Sequence, residues 1–352
     1  MKKLLALLLA LVMVLSLCAC AGKTDAPAAD DAAEPAADAA EPADDAPAAP
    51  AADVNLDRNG DGKVTIRYST IAYAIAPLTQ YLCDNLRDLC AAEGWDFDYA
   101  AAEGDATLQG QQIETLIEQD PDFIIMFPAD AELAVDWVES AADADIPAFI
   151  VGTDVAADGQ EYAIAYCGPN TYEMGRELAE ALIAANGADA GLSIVEIGGN
   201  AGQADYIDRK AGFEDYIAEN SNYTILGDTK WCHSSRADAQ TAMEEFLSTY
   251  GDQIDVLYGM DDDLTLGGVN AIEAEGKTGD IQVYSITGQI EAIQAIKDGK
   301  MVTTTYTPTK LTASLVIDAI KEYVANGTIE YQQSYIPELI TADNAANYEG
   351  EF

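Results

Sequence analysis

Asp122-Phe123-Ile124-Ile125-Met126-Phe127-Pro128-Ala129-Asp130 is a short, unbroken apolar run that stops at a proline and a carboxylate. β-branched and aromatic residues without polar alternation read as a strand buried on both faces. Proline has no N–H to give to a ladder, so Pro128 ends it. A helical stretch through Ala142 follows, and residues 147–152 read as the next strand. Fully apolar strands that alternate with helices belong to a parallel sheet covered on both sides.

The same rhythm extends in both directions. Upstream lie a strand over 64–71, a helix over 77–93 stopped by Gly94, a strand over 95–101 and a helix over 108–118. After a strand over 162–167 the pattern restarts with helix 172–185, strand 192–197, helix 206–219, strand 223–231 and helix 237–250. Strand 256–260, helix 264–275, strand 281–286, helix 290–297 and strand 302–306 come next, then helix 311–325 and a short strand near 335–340. The break at 167–170 divides the elements into two similar series. The expected fold is α/β: two Rossmann-like lobes joined by a hinge, one from residues 63–168 plus 308–330, the other from 169–307 plus 331–352. Hinge crossings are expected at 167–169, 287–289 and 307–308.

Residues 1–20 read as a signal peptide: Met1-Lys2-Lys3 is basic, and residues 4–17 form an apolar segment too short for a permanent membrane span. Leu17-Cys18-Ala19-Cys20 resembles a bacterial lipobox, which makes Cys20 the candidate lipidation site and predicts an exported, membrane-anchored protein. Residues 21–62 are rich in Ala, Pro, Asp and Glu, a composition that cannot bury enough surface to offset its ordering entropy. They read as a spacer.

The chain carries 62 acidic and 17 basic residues, and 51 acidic against 12 basic remain from Val64 onward. Such a field repels phosphate backbones, so nucleic acid is excluded as a partner. Cys83 and Cys90 stand about 10 Å apart along one helix at its usual rise, beyond disulfide reach. Cys167 and Cys232 are left open as a pair. Asp57-Arg58-Asn59-Gly60-Asp61-Gly62 matches the first half of an EF-hand loop, so Asp57, Asn59 and Asp61 are candidate calcium ligands. Tyr68 stands where that loop needs its bidentate carboxylate. No other cofactor is expected.

In parallel α/β sheets ligands gather at the carboxyl ends of strands. Those positions hold Tyr73, Phe127, Asp154, Asn170, Asn200, Trp231, Asp261, Thr287 and Thr307. Carboxylates, amides and aromatics suit a small polyhydroxylated solute, with carboxylates accepting from hydroxyls and rings covering C–H faces. His233 is the sole histidine, with no nucleophile or metal partner at a telling spacing. Gly198-Gly199-Asn200-Ala201-Gly202 lacks the lysine and hydroxyl of a phosphate loop.

Residues 123–134 and 146–154, Asp208-Arg209-Lys210-Ala211-Gly212-Phe213 and Met260-Asp261-Asp262-Asp263-Leu264-Thr265-Leu266-Gly267 resemble the type I periplasmic binding protein family of ribose and galactose binders. The resemblance runs from Val64 onward. It implies an extracytoplasmic sugar-binding protein, not an enzyme, that serves an ABC permease. It also implies that Asp154, Arg209 and Asp261 hold solute hydroxyls. The chain departs from the family pattern at Ile75-Ala76-Pro77-Leu78, at Val155 and at Thr287-Gly288. A non-sugar polar solute and a sensory receptor stand as alternatives.

Overall fold

The computed structural model describes residues 56–74 and 77–352. The candidate signal peptide, Cys20 and most of the spacer lie outside the described residues. Among the described residues, no helix is long and apolar enough to cross a membrane.

The first series runs β1 (Thr65–Thr70), α1 (Pro77–Glu93), β2 (Asp96–Ala101), α2 (Ala106–Ile117), β3 (Phe123–Phe127), α3 (Leu133–Asp143), β4 (Ala148–Val151) and β5 (Ala165–Pro169). The second continues with α4 (Thr171–Asn186), β6 (Ser193–Gly198), α5 (Ala204–Asn220), β7 (Thr224–Ile225), β8 (Lys230–Trp231) and α6 (Arg236–Tyr250). It goes on through β9 (Val256–Gly259), α7 (Asp262–Ala274), β10 (Gln282–Tyr284), α8 (Ile290–Lys297) and β11 (Thr303–Tyr306). Then come α9 (Thr309–Asn326), β12 (Gln332–Tyr335) and β13 (Glu338–Thr341).

The strands form two sheets, ordered β12-β5-β4-β3-β1-β2 and β13-β11-β10-β9-β6-β7, with β8 paired to β6. Every pairing is parallel except β11 with β13. Both lobes share the doubly wound order in which the first strand of each series lies between the second and third, and the switch point opens beside that strand. Every residue of β3 and β4 is buried, as their unbroken apolar sequences require. Leu82 and Leu86 of α1 and Val316 and Ile320 of α9 cover one face of the first sheet; Ile113 of α2 and Trp137 and Val138 of α3 cover the other.

Four expectations are corrected. The strand expected over 223–231 is two short strands, because Gly227 turns the chain with φ at 71°. The strand expected near 335–340 is also two, in different sheets, divided at Ile336-Pro337 where the proline cannot extend a ladder. Residues 332–335 therefore pair into the first lobe's sheet, against the expected assignment of 331–352 to the second lobe, while residues 338–341 pair into the second lobe's sheet. The chain crosses between lobes at 170, 307–308 and 336–337; residues 287–289 join β10 to α8 within one lobe.

The candidate calcium ligands are engaged with the backbone of their own loop. The Asp57 carboxylate accepts from the backbone N–H groups of Gly60, Asp61 and Gly62 at 2.7, 3.0 and 2.8 Å. Asn59 Oδ1 accepts from Asp61 N and Asp61 Oδ1 from Lys63 N. The side-chain oxygens fold the loop onto itself as side-chain-to-backbone turns. Among the described residues, no group of three His, Cys, Asp or Glu side chains is placed to hold a metal ion. Cys83, Cys90, Cys167 and Cys232 are free and buried; Cys167 and Cys232 sit in the cores of different lobes.

Candidate functional site

The carboxyl ends of both sheets face a cavity of about 640 Å³ between the lobes. Its two walls differ in chemistry. The first lobe presents Ile71, Ala72, Leu78, Leu82 and Phe127, and the second presents Asn200, Gln203, Asp205, Tyr206, Arg209 and Asp261.

Arg209 is placed by helix packing. A Cβ on Gly212 would overlap the Tyr172 carbonyl of α4, and one on Gly175 would overlap the Arg209 carbonyl. The two glycines let α4 and α5 touch backbone to backbone. Phe213 stacks on Tyr258 at 3.9 Å between centroids, and the Tyr258 hydroxyl donates to the Arg209 carbonyl at 3.0 Å. The Arg-x-x-Gly-Phe sequence thus fixes a helix register that points Arg209 at the cleft. Its Nη1 donates to the Met260 carbonyl at 2.9 Å, its Nη2 lies 3.4 Å from Asp205 Oδ2, and the guanidinium sits 5.4 Å from the Tyr206 ring centre. Burial disfavours the cation, but Asp205, Tyr206 and Asp261 outweigh it and hold the pKa above its ordinary value. Nε is buried and has no hydrogen-bond partner among the described residues.

Asp261 caps α7, accepting from Asp263 N at 2.8 Å. Burial, then the charge of Asp262, pushes its carboxyl up to about 7 against the opposing pull of Arg209. Asp262 turns into the protein and accepts from the Thr304 hydroxyl at 2.7 Å and from Gln289 N at 2.8 Å. Its backbone N–H meets Thr287 Oγ1 at 3.4 Å. These bonds hold Thr287 at φ 122°, a conformation that costs a threonine about 1–3 kcal/mol. Thr287 and Thr307 both line the cavity, and the buried Thr307 hydroxyl has no partner among the described residues.

Of the residues proposed from sequence, Phe127, Asn200, Arg209, Asp261, Thr287 and Thr307 come together on the cavity wall; Asp154, Tyr73, Asn170 and Trp231 do not. Asp154 accepts from Val155 N at 2.8 Å, the Tyr331 hydroxyl at 2.6 Å and the Gln160 and Gln332 amides at 3.3 and 3.2 Å. It ties the end of β4 to the start of β12, and Gly152 lines the cavity instead. Tyr73 donates to Asp84 and packs on Tyr99. Asn170 caps α4 by accepting from Glu173 N, and Trp231 covers Gly198 and the second-lobe core. Gln203 and Tyr206 carry no signal in the sequence that marks them as site residues, whereas Asp205 stands one turn before Arg209, the spacing at which a carboxylate can pair with a guanidinium, and does so at 3.4 Å. His233 and Ser234 also line the cavity, with φ at 49° and 52°.

The walls already meet across the cleft. Thr153 of the first lobe donates to Asp205 at 3.2 Å, and Gln203 Nε2 lies 3.4 Å from the Thr153 hydroxyl. Residues 351–352 reach both lobes. The Phe352 carbonyl accepts from Ile290 N at 2.8 Å, its ring lies 5.9 Å from Tyr81, and Glu351 accepts from Thr309 N and Oγ1.

Known proteins share this architecture. The chain is similar to the fructose import binding protein FruE of Bifidobacterium longum, 26% identical over 278 residues, covering 76% of this chain and 82% of the relative. A solved ABC transporter solute binding protein from Bacillus halodurans with bound myo-inositol superposes with a TM-score of 0.73 at 27% identity, covering 82% of this chain and 99% of the other. The arabinose ABC transporter binding protein from Shewanella sp. ANA-3, bound to L-arabinofuranose, gives 0.74 at 24% identity, covering 81% and 94%. The periplasmic binding protein domain model matches residues 69–328, most of the chain, and the chain therefore belongs to the periplasmic binding protein family.

Proposed function

We propose that this chain captures a neutral polyhydroxylated solute, a sugar or polyol, between its lobes and delivers it to an ABC importer. The observation that carries this reading is the pair of buried groups on the cavity wall without a hydrogen-bond partner among the described residues, Arg209 Nε and Thr307 Oγ1. A buried polar atom without a partner is destabilising by about 1–3 kcal/mol, and hydroxyls of a bound solute satisfy both. Asp205, Asp261 and Asp263 outnumber Arg209 on the wall, which favours hydroxyl donors over anions. The relatives that carry fructose and myo-inositol in their names point the same way. The reading includes export and a lipid anchor at Cys20, and loss of membrane association in Cys20→Ala tests that part.

A thermal-shift screen of the purified full-length chain against hexoses, pentoses, polyols and amino acids tests the solute class. A solute at about 100 times its Kd adds about 2.7 kcal/mol to stability. A shift with a sugar or polyol is expected; a shift confined to amino acids overturns the reading.

A further inference from the structure

The cavity carries charged and amide side chains on one side only. Among the described residues, no first-lobe residue on its wall carries a charged or amide side chain. The wall is built from Ile71, Leu78, Leu82 and Phe127, with Ala72 between them. Three first-lobe threonines, Thr79, Thr309 and Thr312, also line it; the Thr309 hydroxyl bonds Glu351 at 2.6 Å and Asn85 at 2.9 Å, and the Thr312 hydroxyl bonds Tyr335 at 3.0 Å.

The end of β4 shows the same preference. Gly152 sits at φ 71°, and a Cβ there would overlap the Phe127 ring. The Phe127 ring at the end of β3 lies over Gly152 and leaves no room for a side chain there. Size agrees with composition. A volume of about 640 Å³ lies mid-range among pockets of about 300–1,000 Å³ that enclose drug-sized ligands, and a single sugar ring is small for it. The cross-cleft contacts of Thr153 with Asp205 and Gln203 show that this volume belongs to lobes that already touch.

A solute with hydroxyls on every side would leave some of them against the apolar wall, where desolvation without a partner is unfavourable. We propose that the solute is amphipathic: a glycoside whose sugar hydroxyls face Arg209 and Asp261 and whose alkyl or aryl aglycone lies against Leu78, Leu82 and Phe127. The inference rests on the polyhydroxylated-solute reading of the same cavity.

Isothermal titration of the full-length chain separates the two. The probes are D-glucose, D-galactose and D-xylose, each beside its methyl and phenyl β-glycosides. For at least one sugar the phenyl glycoside is expected to bind about tenfold or more tighter than the free sugar, the factor that burial of an apolar ring contributes. The methyl glycoside should fall between them. Leu78→Gln, on the half-buried first turn of α1, should narrow the phenyl-to-free ratio. Free sugars that bind as well as their phenyl glycosides overturn the amphipathic ligand and leave the sugar-binding reading standing. No binding by any of these probes, beside binding of a polyol, overturns the amphipathic ligand alone; no binding by sugars, glycosides or polyols overturns both.

Discussion

Replacing Arg209 by methionine removes the guanidinium and keeps an unbranched stem in its place. Arg209 is 6% exposed, so its loss is felt in both folding and binding. In the free protein Asp205 loses a cation at 3.4 Å and keeps the Thr153 hydroxyl at 3.2 Å. Breaking a buried ion pair from one side costs about 3–5 kcal/mol, and because Asp205 borders the cavity the low end applies. In the complex the solute loses a charge-assisted hydrogen bond at Nε, about 1.5–3 kcal/mol, or about 10- to 150-fold in Kd. Urea unfolding reads the first quantity and isothermal titration the second. The double variant Arg209→Met with Asp205→Asn separates them: stability should largely return, while affinity should stay low. An Arg209→Met protein that binds within about twofold of the parent chain refutes the placement of solute hydroxyls against Arg209.

Three further outcomes are expected. Gly212→Ala drives a methyl into the Tyr172 carbonyl and should destabilise by about 1–3 kcal/mol, with weakened binding as α5 shifts Arg209; equilibrium unfolding and titration check both. Asp154→Asn weakens the Tyr331 and Gln332 bonds and should lower stability by about 1 kcal/mol, yet leave Kd within about threefold, because the carboxylate lies off the cavity wall. Burial raises the carboxyls of Asp261 and Glu196 to about 7 and of Asp262 to about 6. Unfolded carboxyls titrate near 3.9–4.3, so the folded state holds more protons between about pH 4 and pH 7 and stability falls as pH rises through that window. Hydroxyl donors favour the Asp261 carboxylate, so Kd should tighten from about pH 6 to pH 8; unfolding midpoints and titrations across that range read the two trends.

Much of this architecture is legible in the sequence because buried parallel strands announce themselves. β3 and β4 are apolar throughout, and Pro128 and Gly152 mark their ends. The strand-end rule then locates the loops that face the cleft, but not which side chain in a loop turns inward. Asp154 and Gly152 are two residues apart, and only the second lines the cavity. The carboxylate is drawn away by Tyr331, a partner 177 residues later that no local pattern reveals. Asp205 and Tyr206 lie inside the first turn of α5 and so escape a search confined to strand ends. The division of residues 331–352 between lobes turns on Pro337, whose missing N–H matters only once two sheets compete for the flanking strands.

A crystal structure of the chain with the tightest solute from the screens tests the central claim most directly. The solute is predicted between the lobes, with hydroxyl oxygens within about 3.2 Å of Arg209 Nε, Thr307 Oγ1 and an Asp261 carboxylate oxygen. A solute bound to one lobe alone, or held in the cleft with Arg209 Nε and Thr307 Oγ1 still unpartnered, would contradict it.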